Sequence, residues 1–187
     1  MRRRADIIQP VREVIPARTR WAGPRATRLW LACVVAAMAV AQAKAATETV
    51  VHTFGDFPNG ANPYATLIRD SAGNLYGTTY QGGAGNVGVV FRLNASGYKA
   101  LYSFLGGSDG AKPYAGVTLD PAGNLYGTTY FGWSENAGVV FKLDASGQET
   151  VLYAFSGGTD GGNPYAGVTL DSAGNLYGTT YDWGGPG

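Results

Sequence analysis

A chain of 187 residues with a formal net charge of +1 has the length of one ordinary domain. Its single cysteine and single histidine exclude a disulfide framework and a zinc site built on thiolates or imidazoles. Residues 1–45 hold nine of the fourteen Lys and Arg, whereas from Ala46 onward five basic residues face eleven acidic ones, a balance of −6, which excludes a basic face for nucleic acid on the body of the chain.

Taken in order, the chain begins with this basic leader. The apolar run Leu29-Trp30-Leu31-Ala32-Cys33-Val34-Val35-Ala36-Ala37-Met38-Ala39-Val40-Ala41 follows Arg25 and Arg28 and ends near Ala43-Lys44-Ala45. Basic region, short apolar core and small-x-small site are the parts of a secretory signal. The run falls short of the ~20 residues that span a bilayer comfortably. Residues 1–45 are therefore predicted to be a cleaved signal peptide with a long basic region, Cys33 leaving with it. The expected product is secreted, periplasmic or on the cell surface, with no membrane span of its own.

Residues 46–187 are copies of one unit. Asp-x-Ala-Gly-Asn-Leu-Tyr-Gly-Thr-Thr-Tyr starts at Asp70, Asp120 and Asp171, a period of 50 and then 51 residues. Asp-Pro-Ala-Gly at Asp120 is a type I turn sequence, with Asp capping the turn and Gly123 free to enter the left-handed region. Such turns close hairpins. A second turn recurs at Asn94-Ala95-Ser96-Gly97 and Asp144-Ala145-Ser146-Gly147. It joins Val139-Val140-Phe141-Lys142-Leu143 to Thr150-Val151-Leu152-Tyr153-Ala154-Phe155. Four short strands per unit are predicted.

Several strands are apolar on both faces, which fits sheets covered on both sides by stacked blades. Successive side chains alternate, so Val139, Phe141 and Leu143 are expected on one face, and Val151, Tyr153 and Phe155 on one face of the next strand. Gly77, Gly127 and Gly178 interrupt strands, marking close backbone approach or a bulge. Glu48-Thr49-Val50-Val51-His52-Thr53-Phe54 matches residues 149–155, predicting a leading fourth strand in which His52 stands where Tyr102 and Tyr153 stand. A Gly-rich link of about ten residues follows each fourth strand and can recross a four-stranded sheet, since ten residues reach ~33 Å. The predicted fold is all-β, a β-propeller-like array of four-stranded antiparallel blades. Units run over residues 64–104, 114–155 and 165–187, the last holding two strands. About two full blades do not close a ring, so the count predicts a cut-short chain or an assembly, with self-association through an exposed blade face.

Asp-x-Ala-Gly-Asn-Leu-Tyr-Gly-Thr-Thr, then Gly-Val-Val-Phe-(Arg/Lys)-Leu, then Tyr-x-Phe-x-Gly-Gly-x-Asp-Gly resembles the GloVer tandem repeat. That family comprises exported bacterial proteins, often described as choice-of-anchor proteins because their C-terminal surface anchors differ. The resemblance covers residues 48–183 and implies an exported, propeller-like array; it implies no established activity and identifies no catalytic residues.

Chemistry is sparsely supplied. One histidine provides neither a catalytic pair nor a metal cluster, so no catalytic residue, metal or cofactor is expected. Asp70, Asp120 and Asp171 read as turn caps. Asp109 and Asp160, each followed by Gly in the link, are weak Ca²⁺ candidates, because one carboxylate per loop falls far short of six to eight ligands. Phe131, Trp133, Tyr181 and Trp183 lie where the copies differ most, and loops on a rigid scaffold often carry binding. These four aromatics are the candidate ligand-binding residues, for a carbohydrate or a protein at the blade loops. Tyr76, Tyr126 and Tyr177 are expected to pack. The expected function is an exported, non-enzymatic scaffold; the alternatives are a secreted propeller enzyme acting on polysaccharide through paired carboxylates, and a truncated gene remnant.

Overall fold

The computed structural model describes residues 48–55 and 58–182. The predicted leader up to residue 45 and Trp183 lie outside the described residues. Every regular element among those described is a strand, and no helix there is long and apolar enough to cross a membrane.

The first sheet runs in the order β1 (Ile68–Arg69), β2 (Leu75–Thr79), β3 (Val89–Asn94), β4 (Gly97–Ser103). The second repeats it with β5 (Thr118–Leu119), β6 (Leu125–Thr129), β7 (Val139–Leu143) and β8 (Glu149–Ala154). β9 (Thr169–Leu170) and β10 (Leu176–Tyr177) pair on their own. All pairs are antiparallel. The fold is all-β, built of propeller-like blades that form no closed barrel among the described residues.

The Asp turns explain why the hairpins close. The Asp120 carbonyl accepts from Gly123 N–H at 3.1 Å, and Gly123 takes the left-handed φ of 88° that the turn needs. The carboxylate accepts from Asn124 N–H (2.8 Å), the Asn124 amide (2.7 Å) and the Tyr126 hydroxyl (3.0 Å). Asp70 and Asp171 repeat the pattern. The Asn175 side chain and backbone donors pull Asp171 down to about 2.

Stacking of one blade on the next makes the core. Val90 and Phe104 from the first unit join Val117, Leu125, Val139, Phe141 and Leu143 from the second in one buried cluster. Full burial of each such side chain contributes about 1.5–3 kcal/mol. The strand glycine makes room for the phenylalanine: a Cβ on Gly127 would lie 2.7 Å from Phe141 Cζ, and one on Gly77 2.8 Å from Phe91 Cζ. Close approach, and not a bulge, is what these glycines serve. A polar tie crosses the same seam, with Thr78 Oγ1 donating to Ala115 O at 2.8 Å, and its counterpart, Thr128 Oγ1 to Ala166 O at 2.9 Å, crosses the next.

Two expectations are corrected. Val140 opposes Tyr153 but Phe141 opposes Val151, so Leu152 has no partner; Leu101 is skipped in the same way. An extra residue inverts the alternation beyond it, so Val151 and Tyr153 lie on opposite faces. The bulge lets the Tyr102 and Tyr153 hydroxyls reach the next link, where they donate to Asp109 (3.0 Å) and Asp160 (2.8 Å). Residues 48–54 form no strand beyond an isolated bridge at Thr53. A fourth strand needs a third beside it, and none precedes this segment among the described residues. His52 instead stacks on Tyr98 with centroids 4.5 Å apart.

Candidate functional site: an aromatic ribbon

The links and the loops after the second strands meet at one end of the blades. Ala61 exchanges backbone hydrogen bonds with Gln81 (2.7 and 3.0 Å), and Ala111 with Phe131 (2.7 and 3.0 Å); Gly162 bridges Asp182. Asn62, Lys112 and Asn163 sit in the left-handed region at φ 57°, 54° and 52°, which turns the chain into the following Pro-Tyr. Each bridge thereby brings the tyrosine that opens a unit beside the tyrosine that ends its second strand.

The result is a continuous row of rings. Tyr64 meets Tyr80 (5.6 Å) and Tyr114 (5.8 Å). Tyr80 meets Tyr114 (4.6 Å), which meets Tyr130 (5.3 Å) and Tyr165 (4.5 Å). Tyr130 meets Tyr165 (4.8 Å), and Tyr165 meets Tyr181 (5.0 Å). All these centroid separations fall in the range of favourable edge or offset ring pairs. Phe131 joins at 4.5 Å from Tyr130, and Lys112 Nζ stands 5.2 Å from the Tyr80 centroid and 5.4 Å from that of Phe131, a cation–π arrangement. Within the row, burial and then Tyr165 raise the hydroxyl of Tyr130, while a hydrogen bond with Tyr80 and then burial raise that of Tyr114. Tyr64 and Tyr181, at the two ends, are 63% and 68% exposed.

The motifs that build this ribbon also decide the family. Residues 37–187 match the Gloeobacter/Verrucomicrobia repeat, well over half the chain. The chain belongs to that repeat family. No curated protein matches it.

In this Gloeobacter/Verrucomicrobia repeat protein, Phe131 and Tyr181 are part of the ribbon. Trp133 is not one of its stacked rings but stands on the same loop, 44% exposed, and Trp183 lies outside the described residues. Sequence reasoning passes over Tyr64, Tyr80, Tyr114, Tyr130 and Tyr165. Their signal is the constant spacing of sixteen residues from Tyr64 to Tyr80, Tyr114 to Tyr130 and Tyr165 to Tyr181.

Trp133 occupies the left-handed region at φ 65°, where the first unit has Gly83 at φ 75°. A bulky side chain in that conformation is an outlier, at a cost of roughly 1–2 kcal/mol. Its N–H donates to Gly107 O at 2.9 Å and its carbonyl accepts from Asn136 at 3.2 Å, which fixes the backbone and leaves the indole outward.

The carboxylates of the link are occupied by donors. Asp109 accepts from Tyr102, Leu105 N–H (2.8 Å) and Gly107 N–H (3.2 Å). Asp160 accepts from Tyr153, Ser156 N–H (3.0 Å) and the Ser156 hydroxyl, and the Ser156 donors foremost hold it at about 2. Three or more His, Cys, Asp or Glu that could share a metal ion do not come together among the described residues.

One carboxyl is perturbed the other way. Burial, then the charge on Asp109, pushes Glu149 up to about 7 from its ordinary 4.5, and its Oε1 is buried with no hydrogen-bond partner among the described residues. A raised folded pKa means the stabilising contribution is complete below pH 4.5 and lost as pH rises through 7. Glu149→Gln is therefore expected to flatten the fall in stability between those pH values. The side chain is only half-buried, so the gain at pH 8 is about 1 kcal/mol after solvent screening. Urea melts of the two proteins at pH 5 and pH 8 check this.

Proposed function

We propose that this chain is an exported, non-enzymatic β-repeat scaffold that binds carbohydrate on its tyrosine ribbon. The observation that carries the reading is the unbroken row of six tyrosines across three units. Such a row offers apolar ring surface for the C–H faces of sugars and phenolic hydroxyls for their oxygens. Trp133, kept outward at a backbone cost, adds a further exposed ring on the loop that carries Phe131. Export, to the periplasm, cell surface or medium, rests on the leader pattern of residues 1–45.

The test is titration of the mature chain against a panel of soluble polysaccharides, by calorimetry. Saturable binding is expected, weakened at least tenfold, or ~1.4 kcal/mol, in Tyr114→Ala. Trp133→Gly is expected to raise stability by about 1 kcal/mol while weakening binding. If no polysaccharide binds, or if both variants bind like wild type, the ribbon is packing alone. Saturable binding of a protein and of no glycan would replace carbohydrate by a protein partner.

One observation favours the polysaccharide enzyme as a second reading. Glu149, pushed up to about 7 by burial and then by the charge on Asp109, has the character of a general acid influenced by a second carboxylate, the kind of pair that glycosidases use. Release of reducing ends from any member of the panel, lost in Glu149→Gln, would establish it.

A further inference from the structure

The three bridges under the ribbon share one backbone and differ in their side chains. Just before each Pro-Tyr, Asn62, Lys112 and Asn163 take the left-handed conformation at φ 57°, 54° and 52°. Asparagine adopts it far more readily than lysine does. Both asparagines serve the fold: Asn62 Nδ2 donates to Gln81 Oε1 at 2.6 Å, and Asn163 Nδ2 to Tyr130 O at 2.8 Å. Lys112 takes a different course. Its N–H donates to Val87 O at 2.6 Å and its carbonyl accepts from Tyr130 N–H at 3.2 Å. The backbone is thus held on both sides, while the side chain crosses the Tyr80 and Phe131 rings. The second unit carries the less favoured residue and gains a fixed positive charge midway along the ribbon.

Contact with the rings does not exhaust that charge. An ammonium carries several N–H donors, and a ring face meets one side of it. Lys112, Tyr80 and Phe131 are all half-buried, so a ligand lying on these rings meets the ammonium where water is partly excluded and a charged hydrogen bond is strong. The surroundings are acidic. From Ala46 onward five basic residues face eleven acidic ones. Asp182 stands in the third bridge, and after burial its charge is among the causes that raise the Tyr130 and Tyr165 hydroxyls. A densely charged polyanion is therefore repelled by the body and by this end of the ribbon, whereas one isolated anionic group meets a cation.

Resting on the carbohydrate reading of the ribbon, we propose that its ligand is a largely neutral polysaccharide bearing isolated uronic acid residues, and that Lys112 sets this specificity by pairing with the uronate carboxylate. Neutral sugars of the same polymer lie on the tyrosines to either side, where ring surface and phenolic hydroxyls receive them. The carboxylate pairs with Lys112 beside Tyr80 and Phe131, away from Asp182.

The experiment is calorimetric titration of the mature chain with three polymers: glucuronoxylan, whose neutral backbone carries scattered glucuronic acid; the same polymer with its carboxyls reduced to alcohols; and polygalacturonate, charged at every residue. Glucuronoxylan is expected to bind at least tenfold more tightly than either of the others. Lys112→Asn places at this position the residue that both other units carry, so the variant is expected to fold, and an unchanged circular dichroism spectrum checks that. It is expected to weaken glucuronoxylan binding at least tenfold and to leave the reduced polymer unaffected, while Lys112→Arg keeps the preference. Equal binding of the native and reduced polymers, or an equal loss of both in Lys112→Asn, overturns the proposal and leaves the carbohydrate reading standing. Tightest binding of polygalacturonate overturns it in favour of a polyanion. Absence of binding to all three polymers overturns it as well, and binding of some other neutral glycan in the wider panel would then still uphold the ribbon as a carbohydrate site.

Discussion

Gly132→Ala is expected to destabilise the protein by about 3–5 kcal/mol, adding backbone strain to steric overlap. Gly132 has φ 115°, and a Cβ there would lie 2.3 Å from Gly110 Cα and 2.9 Å from Gly110 C. Two backbone segments meet at this point, the link that enters the second unit and the loop that leaves its second strand. Neither can yield as a side chain could, because the Ala111–Phe131 bridge holds both. Gly147→Ala is the control: its φ of 91° carries strain, but its nearest neighbour, Leu101 O, would be 3.6 Å away. That variant is expected to lose about 1–2 kcal/mol. Urea melts read both, and a loss under 1 kcal/mol in Gly132→Ala would mean that link and loop do not touch in solution. Because the same contact positions Tyr114 beside Tyr130, the larger loss should be accompanied by weaker binding at the ribbon.

Phe141→Ala is expected to cost about 3–5 kcal/mol, the usual range for a buried phenylalanine. Its ring is 0% exposed and lies 5.2 Å from that of Phe104, which comes from the preceding unit. Truncation thus opens the seam between two repeats as well as one blade. The matching test is Gly127→Ala. Alone it is expected to lose about 1–3 kcal/mol by overpacking against Phe141; with Phe141→Ala the added methyl fills part of the cavity. The double variant should be no less stable than Phe141→Ala alone, a coupling that only residues in contact display. Additive losses would separate the two side chains. Total stabilities of 5–15 kcal/mol are ordinary for domains, so both variants remain measurable in mild urea.

The fold was legible where physical cause is local. Asp-x-Ala-Gly announces its turn because the Asp120 carboxylate, the Gly123 φ and the Asn124 donors all lie within five residues. Apolar residues on both faces announced the buried third strands, where Val89, Val90 and Phe91 are all 0% exposed. The bulges at Leu101 and Leu152 were not legible, since an extra residue leaves the composition of a strand unchanged and shows only against its partner. The leading strand was overread because residues 48–54 match a fourth strand in sequence, while pairing depends on a neighbour that sequence matching does not supply. The candidate site was half legible for a related reason. Phe131 and Tyr181 stand out because their loops differ between copies. The other ribbon tyrosines recur in every unit and look like packing, until the bridges from Ala61 to Gln81 and from Ala111 to Phe131 set them side by side. Glu149 was illegible: its counterpart one unit earlier is Tyr98, and its shifted proton affinity comes first from burial and then from the charge on Asp109, both of which depend on the fold.

The most direct measurement is amide hydrogen exchange of β3 and β7 in wild type and in Phe141→Ala. If successive repeats share one core, both strands open with the same free energy in wild type and lose the same amount together in the variant. Full wild-type protection of β3 in Phe141→Ala would show that the blades stand independently, and the ribbon built across them would have no common support.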